Sequence, residues 1–193
     1  MNRCSPLNRC SPSGPIPGLV RRASRITLLL LVTVLAAGTG RALAHAPIDL
    51  GTDHTSPDTA APLGDPASPG LIYGSLSAGG AQYVGFSIGA GQLFHAMVLR
   101  PLRGDSFNPS LAIVGPGLGD PTGAPFAVPD GDGVTYVPAP SSTIPIYIAD
   151  LGLRFIAGAG IDAPLPQDGD YYLVIYSADG SGGDYSVGTG CGA

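Results

Sequence analysis

Three histidines and fourteen aspartates carry most of the chemistry open to this 193-residue sequence, which contains no Glu and no Lys. Four of the aspartates stand in pairs beside glycines, as Asp130-Gly131-Asp132-Gly133 and Asp168-Gly169-Asp170. Calcium takes about six to eight oxygens, from carboxylates and backbone carbonyls, and such loops can supply several of them. Neither segment completes the D-x-D-x-D-G pattern of an EF-hand loop. Asp and Gly are also the usual residues of tight turns, and that reading takes precedence. The histidines are His45, His54 and His95. With a leader removed after Ala44, His45 becomes the first residue, and its α-amine and one imidazole nitrogen can chelate Cu(II). His95 or His54 can then complete a T-shaped set of nitrogens, ligands that suit copper at the top of the divalent affinity order. The competing reading is an exposed terminal His45, a solvated His54 and a His95 at the edge of the core.

Nucleophilic catalysis finds little footing. No G-x-S-x-G is present; Gly74-Ser75-Leu76-Ser77-Ala78 comes near it but lies in a strand-and-turn pattern, not on a strand–turn–helix elbow. Tyr171, Tyr172, Tyr176 and Tyr185 offer a stacking platform for sugars. Tyr171 must project opposite Tyr172 and Tyr176 on a strand, however, so one set enters the core. Aromatics at strand period are more often packing than platform. The expectation is a protein that is not an enzyme.

These residues are delivered by a chain with export features at its start. Ile26–Ala37 is a twelve-residue apolar run preceded by Arg21, Arg22 and Arg25 and followed by Ala42-Leu43-Ala44, a small-x-small cleavage pattern. A helix of that length rises about 18 Å, short of the roughly 30 Å hydrocarbon core, so no membrane span is expected after cleavage. Ser24 and Arg25 fit a twin-arginine signal poorly, and Sec-type export to a secreted or extracytoplasmic location is expected. The repeat Asn2–Pro6 and Asn8–Pro12 lies ahead of the signal proper. Removing residues 1–44 takes six of nine arginines and no aspartate, leaving three Arg against fourteen Asp, a formal charge of −11. Such a charge opposes nucleic-acid binding and adsorption to anionic membranes. Cys4 and Cys10 leave with the signal, so Cys191 is the one thiol kept and no internal disulfide can form. An incidental thiol near the chain end takes precedence over an intermolecular bridge.

The mature chain divides in two. Residues 45–70, crowded with Pro, Asp, Thr and Ser, read as an irregular lead-in draped over or tethered to a domain. From Leu71 onward, apolar segments of strand length recur between Gly, Pro and Asp: 71–76, 81–88, 93–99, 111–114, 134–137, 144–148, 171–176 and 185–187. A looser stretch spans 152–160. Val84, Phe86 and Ile88 alternate with Tyr83, Gly85 and Ser87, the mark of a half-buried strand. Residues 93–99 are apolar on both faces and read as central. No window holds a capped amphipathic helix. The fold class expected is all-β, an antiparallel β-sandwich or jelly-roll-like single domain over 71–190.

Two blocks carry a family likeness. One is Tyr73-Gly74-Ser75-Leu76, Gly79-Gly80, Gln82–Ser87 and Gly89-Ala90-Gly91. The other is Asp168–Tyr176 with Gly182-Gly183-Asp184-Tyr185-Ser186-Val187. Together they resemble the bacterial pre-peptidase C-terminal domain, a jelly-roll-like sandwich, over roughly residues 71–190; the middle matches only through Asn108–Gly117. The resemblance implies a secreted, non-catalytic accessory module whose relatives are often attached to hydrolases and sometimes bind calcium or polymers. Its partner is then an extracellular or cell-surface protein or polymer, with copper or calcium as the cofactors to consider. No peptidase precedes residue 71 in this sequence, so the module would act alone.

Export with cleavage after Ala44 has a direct consequence. Intact-mass analysis of the secreted product is expected to give a chain beginning at His45, whereas a cell-associated full-length product would exclude it.

Overall fold

The computed structural model describes residues 46–103, 107–141, 144–149 and 152–190. The candidate signal segment, His45 and Cys191 lie outside the described residues. All described residues fall in one compact unit, Leu43–Ala193; the other unit is Met1–Ala42.

Eleven strands form two facing sheets: β1 (Ala46–Asp49), β2 (Ala61–Pro62), β3 (Gly70–Leu76), β4 (Ala81–Ile88), β5 (Leu93–Pro101), β6 (Ser110–Gly115), β7 (Gly133–Val137), β8 (Pro145–Ile148), β9 (Leu153–Pro164), β10 (Gly169–Tyr176) and β11 (Gly183–Thr189). One sheet has the order β1-β3-β11-β5-β9-β8 and the other β2-β4-β10-β6-β7. Without β1, β2 and β8, the eight remaining strands, renumbered along the chain, read 1-8-3-6 and 2-7-4-5. That is the jelly-roll arrangement of two four-stranded sheets.

The core lies where alternating side chains from the two sheets meet. Ile72, Val84, Phe86, Phe94, Val98, Ile113, Tyr171, Leu173 and Val187 all point into it. Phe86 stacks on Phe94 with ring centroids 4.3 Å apart. The Tyr171 ring enters the same core, and its hydroxyl donates toward Pro116 O and Gln167 O, at 2.9 and 3.0 Å. A Cβ at Gly115 would lie 2.2 Å from that ring, so the strand end must be glycine there. A second apolar cluster covers the outer face of the five-stranded sheet. Tyr83, Val114, Val174 and Tyr176 pack there under Phe126 and Val128 of the 116–132 loop. With both faces covered, β6 is buried along its whole length. This explains why Leu111–Val114 is apolar without alternation.

Three expectations need correction. First, the sheets are mixed, not wholly antiparallel: β1 pairs parallel to β3, and β2 parallel to β4. Second, the lead-in is therefore not irregular throughout, since it contributes an edge strand to each sheet. Its prolines hid this, yet edge positions tolerate Pro47 and Pro62 because a missing N–H can face solvent. Parallel pairing follows from the long connections to β3 and β4, where antiparallel neighbours would need only hairpins. Third, the stretch read as loose at 152–160 belongs to the twelve-residue β9. Ala157-Gly158-Ala159-Gly160 obscures its alternation, and the register against β5 shifts between Met97 and Leu99. Gly158 is needed at this bulge, because a Cβ would come within 2.7 Å of Val98.

One buried side chain fastens the lead-in to both sheets. Gln82 on β4 is 1% exposed. Its Nε2 donates to Gly51 O at 3.1 Å and Asp53 O at 2.8 Å, while its Oε1 accepts from the Tyr185 hydroxyl at 2.8 Å. Gly74 leaves room for this contact, as a Cβ there would sit 2.5 Å from the Tyr185 oxygen. Burial drives the Tyr185 pKa well above the ordinary phenol range, which keeps the hydroxyl a donor.

Gln82→Ala strands several buried partners at once and is expected to destabilise the domain by about 3 kcal/mol. Tyr185→Phe removes one bond and should cost about 1 kcal/mol. Urea unfolding of the two variants beside wild type measures both values, and equal midpoints for all three would refute the role given to Gln82.

Candidate functional site

The six-stranded sheet does not stay closed along its length. β11 pairs with β3 through seven residues, Gly183 to Thr189, but with β5 through only three, Val187↔Val98 to Thr189↔Ala96. Beyond Val98, β5 continues against β9 alone, past the bulge. Bulges bend a strand and increase its twist, and Pro101 has no N–H to offer a neighbour. The two strands therefore part at residues 99–101 and 184–186. Ser186 replaces the missing ladder contact by donating its hydroxyl to Leu99 O at 2.7 Å.

The gap is a cleft of about 360 Å³. Its apolar walls are Tyr73, Leu99, Pro101 and Phe155, with Phe107 below and with Arg100, Asp184 and Ser186 among its polar lining residues. Tyr73 is 43% exposed and presents its ring to solvent there. A hollow of about 320 Å³ lies on the five-stranded sheet, where Tyr172, Ser87 and Asp170 meet Pro57 and Pro62. Gly85 keeps it open, with the Tyr172 ring 3.8 Å from where a Cβ would stand. Chemically, the cleft offers aromatic and aliphatic contact, one guanidinium, one carboxylate and a serine hydroxyl already engaged. No histidine lines it.

The histidines singled out in the sequence are not gathered at either place. His54 adopts a positive φ of 60° beside β4, where its carbonyl accepts from Tyr83 N and its Nδ1 lies 2.5 Å from Thr59 O. His95 is on the outer face of the six-stranded sheet, with Nδ1 3.9 Å from Asp162 Oδ1 on the neighbouring strand. The two thus belong to different sheets, and His45 lies outside the described residues.

The paired aspartates serve local structure. Asp168 accepts from Ala90 N, and Asp170 accepts from Ser87 Oγ at 2.5 Å, so both bind the start of β10 to the end of β4 and its turn. Asp130 and Asp132 belong to the turn ahead of β7, where Asp132 N donates to Pro129 O at 3.2 Å and Gly131 has a φ of 89°. Burial raises the Asp132 pKa above the usual carboxylate range. Among the described residues, no three His, Cys, Asp or Glu side chains come together as a metal-binding group. Of the tyrosines, Tyr171 and Tyr185 enter the core while Tyr172 and Tyr176 pack in the outer cluster, so the four form no common platform.

Sequence reasoning missed the cleft. Tyr73 sits on the solvent side of β3 beside the buried Ile72, and Phe155 lies in the stretch read as loose. Neither carries a local signal, because the cleft arises from unequal ladder lengths between distant strands.

No protein-family model matches the chain, and no curated protein sequence is similar to it. A similar solved structure is the pre-peptidase C-terminal domain of a collagenase from Bacillus anthracis. It is 16% identical, with a TM-score of 0.34, and the match covers 74% of this chain and 93% of that one. Among the described residues, no helix is long and apolar enough to cross a membrane.

Three further aspartates lock turns through their charge. Asp65 accepts from Ala67 N and Ser68 Oγ, Asp120 from the Thr122 hydroxyl and amide, and Asp179 from the Ser181 hydroxyl and amide. These donors hold all three carboxyls below the ordinary range, led by the Ala67 amide at Asp65 and by the hydroxyls at Asp120 and Asp179. A lowered folded-state pKa gives stability that is complete above the unfolded value and lost as pH falls through the folded one. In thermal melts from pH 7 to pH 2, wild type is expected to lose stability below about pH 4. The triple variant Asp65→Asn, Asp120→Asn, Asp179→Asn should show a shallower acid loss, and superimposable profiles would remove these turns as its source.

Proposed function

We propose that the protein is an extracytoplasmic, non-catalytic interaction module that holds an extracellular or cell-surface polymer or protein in the cleft between β5 and β11. The observation carrying this reading is the composition of that cleft: an exposed tyrosine and apolar walls, one arginine, one carboxylate, and a serine hydroxyl already bonded to Leu99 O. Ligand sites are typically concave and mostly apolar, with a few polar groups that orient the bound molecule. Nucleophilic catalysis asks instead for a nucleophile and base in hydrogen-bond reach. Arg100 and Asp184 give the cleft one charge of each sign, and the formal charge of −11 on residues 45–193 disfavours a strongly anionic ligand. The leader argued from residues 21–44 supports a location outside the cytoplasm.

Sedimentation with insoluble cellulose, chitin and collagen fibrils tests the reading. Wild-type protein is expected to be retained on at least one of them. The double variant Tyr73→Ala, Asp184→Ala should weaken that retention about tenfold, or about 1.4 kcal/mol. Retention on none of the three polymers, retention indifferent to the double variant, or turnover of ester, peptide or glycoside substrates by the purified protein would each overturn it.

A further inference from the structure

Charge and apolar exposure coincide at one end of the six-stranded sheet. The described residues contain three cationic side chains other than histidine: Arg100 on β5, Arg103 just beyond it, and Arg154 on β9. The β5–β9 register brings these segments together, with Arg100 opposite Ile156 and Pro101 opposite Phe155. Arg103 and Arg154 are exposed, and neither forms an ion pair among the described residues. No carboxylate occurs in 93–103, 144–149 or 152–161, although the chain carries fourteen. Four of the seven large apolar residues left exposed are here as well: Leu102, Ile144, Tyr147 and Leu153, the last three at 72, 60 and 56%.

The same place holds an open strand edge. β8 ends the six-stranded sheet, pairing only with β9. Its residues, Pro-Ile-Tyr-Ile, include no charge. The opposite edge, β1, carries Asp49, and edges without charged side chains are the ones open to another strand. The hairpin is also two-faced. Tyr147 stands opposite Arg154, while Ile146 stands opposite Phe155 and Ile148 opposite Leu153. Because successive side chains point to opposite faces, one face of the β8–β9 ribbon carries Tyr147 and Arg154 beside Pro145 and Ile156, and the other is wholly apolar.

We propose that β8 is a docking edge for an extended peptide segment in which acidic and apolar residues alternate. The segment adds as a further strand beside β8, its carboxylates on the Arg154 face and its apolar side chains on the Ile146–Phe155 face. Backbone pairing supplies the attachment and the alternate side chains supply the choice of sequence. Charge complementarity selects an acidic partner over a second copy, since a β8–β8 pair would bring two arginine-bearing ends together. Asp105 and Asp150 adjoin these segments in sequence, and an alternating Arg–Val peptide tests whether the edge selects by charge. The proposal rests on the reading of the protein as an interaction module but uses the free edge of β8, with Phe155 shared between this face and the cleft wall.

The test uses the chain from His45 to Ala193 and a labelled synthetic octapeptide alternating Asp and Val, in 0.15 M salt. Controls are a block peptide of four Asp followed by four Val and an alternating Arg–Val peptide. Fluorescence anisotropy is expected to show binding of the alternating acidic peptide at least tenfold tighter than either control. Arg154→Glu should abolish that preference, and Arg154→Gln should reduce it. The outward-pointing amides of β8, alternate ones within 146–148, should gain protection from hydrogen exchange in the complex, while a thermal melt of each variant checks that the fold persists. The Tyr73→Ala, Asp184→Ala protein should bind the peptide as wild type does, and Arg154→Glu should leave polymer retention unchanged, so the cleft and the edge can fail separately. Equal binding of the block peptide would reduce the effect to charge and overturn strand addition. No binding at millimolar peptide, or dimerisation through β8 seen by sedimentation and competing with the peptide, would overturn the proposal as well.

Discussion

The buried amide of Gln82 is the contact on which the order of this sandwich hinges. Two sheets facing each other across a core resist separation through apolar contact, but that contact is not directional. The amide adds direction. It binds Gly51 O and Asp53 O of the crossing lead-in and the hydroxyl of Tyr185 on the last strand, so one side chain joins the first described segment, the five-stranded sheet and the six-stranded sheet. A polar group taken so far from water is tolerable only when it is bonded, and here three of its four hydrogen-bonding positions are filled. The neighbouring bonds, Ser75 N to Gly51 O and Tyr83 N to His54 O, complete the same junction from the backbone side.

How much of this was legible depended on where each signal lay. β4 and β10 announce themselves because their alternation, or their dense aromatic and β-branched composition, is local. Tyr171 opposing Tyr172 and Tyr176 was also readable, since strand geometry alone places them on opposite faces. β9 was not, because Gly158 and Gly160 satisfy Val98 and a bulge, not a hydrophobic pattern. β1 and β2 were hidden because prolines normally argue against strands, and only an edge position excuses them. The aspartate pairs illustrate a different limit. Asp168 and Asp170 have the chemistry of calcium ligands, yet both are taken up by bonds to Ala90 and Ser87, partners about eighty residues away in the chain. Composition names a donor; only the fold says who is using it.

The candidate binding surfaces arise from imperfection in the ladders. A fully paired six-stranded sheet would have no cleft between β5 and β11, and a charged or covered edge would leave β8 closed. Both openings fall on the sheet whose outer face lacks a loop like 116–132, which roofs the five-stranded sheet with Phe126 and Val128. Among the described residues, the 116–132 loop covers part of the outer face of the five-stranded sheet, while the cleft opens on the outer face of the six-stranded one.

The strand order also has a temporal side. β11, completed only at residue 189, sits between β3 and β5, and β10 sits between β4 and β6. Both sheets therefore wait for the last part of the chain before their middles can close, and the β3–β11 ladder joins residues more than a hundred positions apart. Loop closure over such distances must come before the contacts that reward it, so folding of this kind is slow and leaves strand edges open until late. A chain built this way stays threadable until β10 and β11 enter the middles of the two sheets, and resists unthreading once they have.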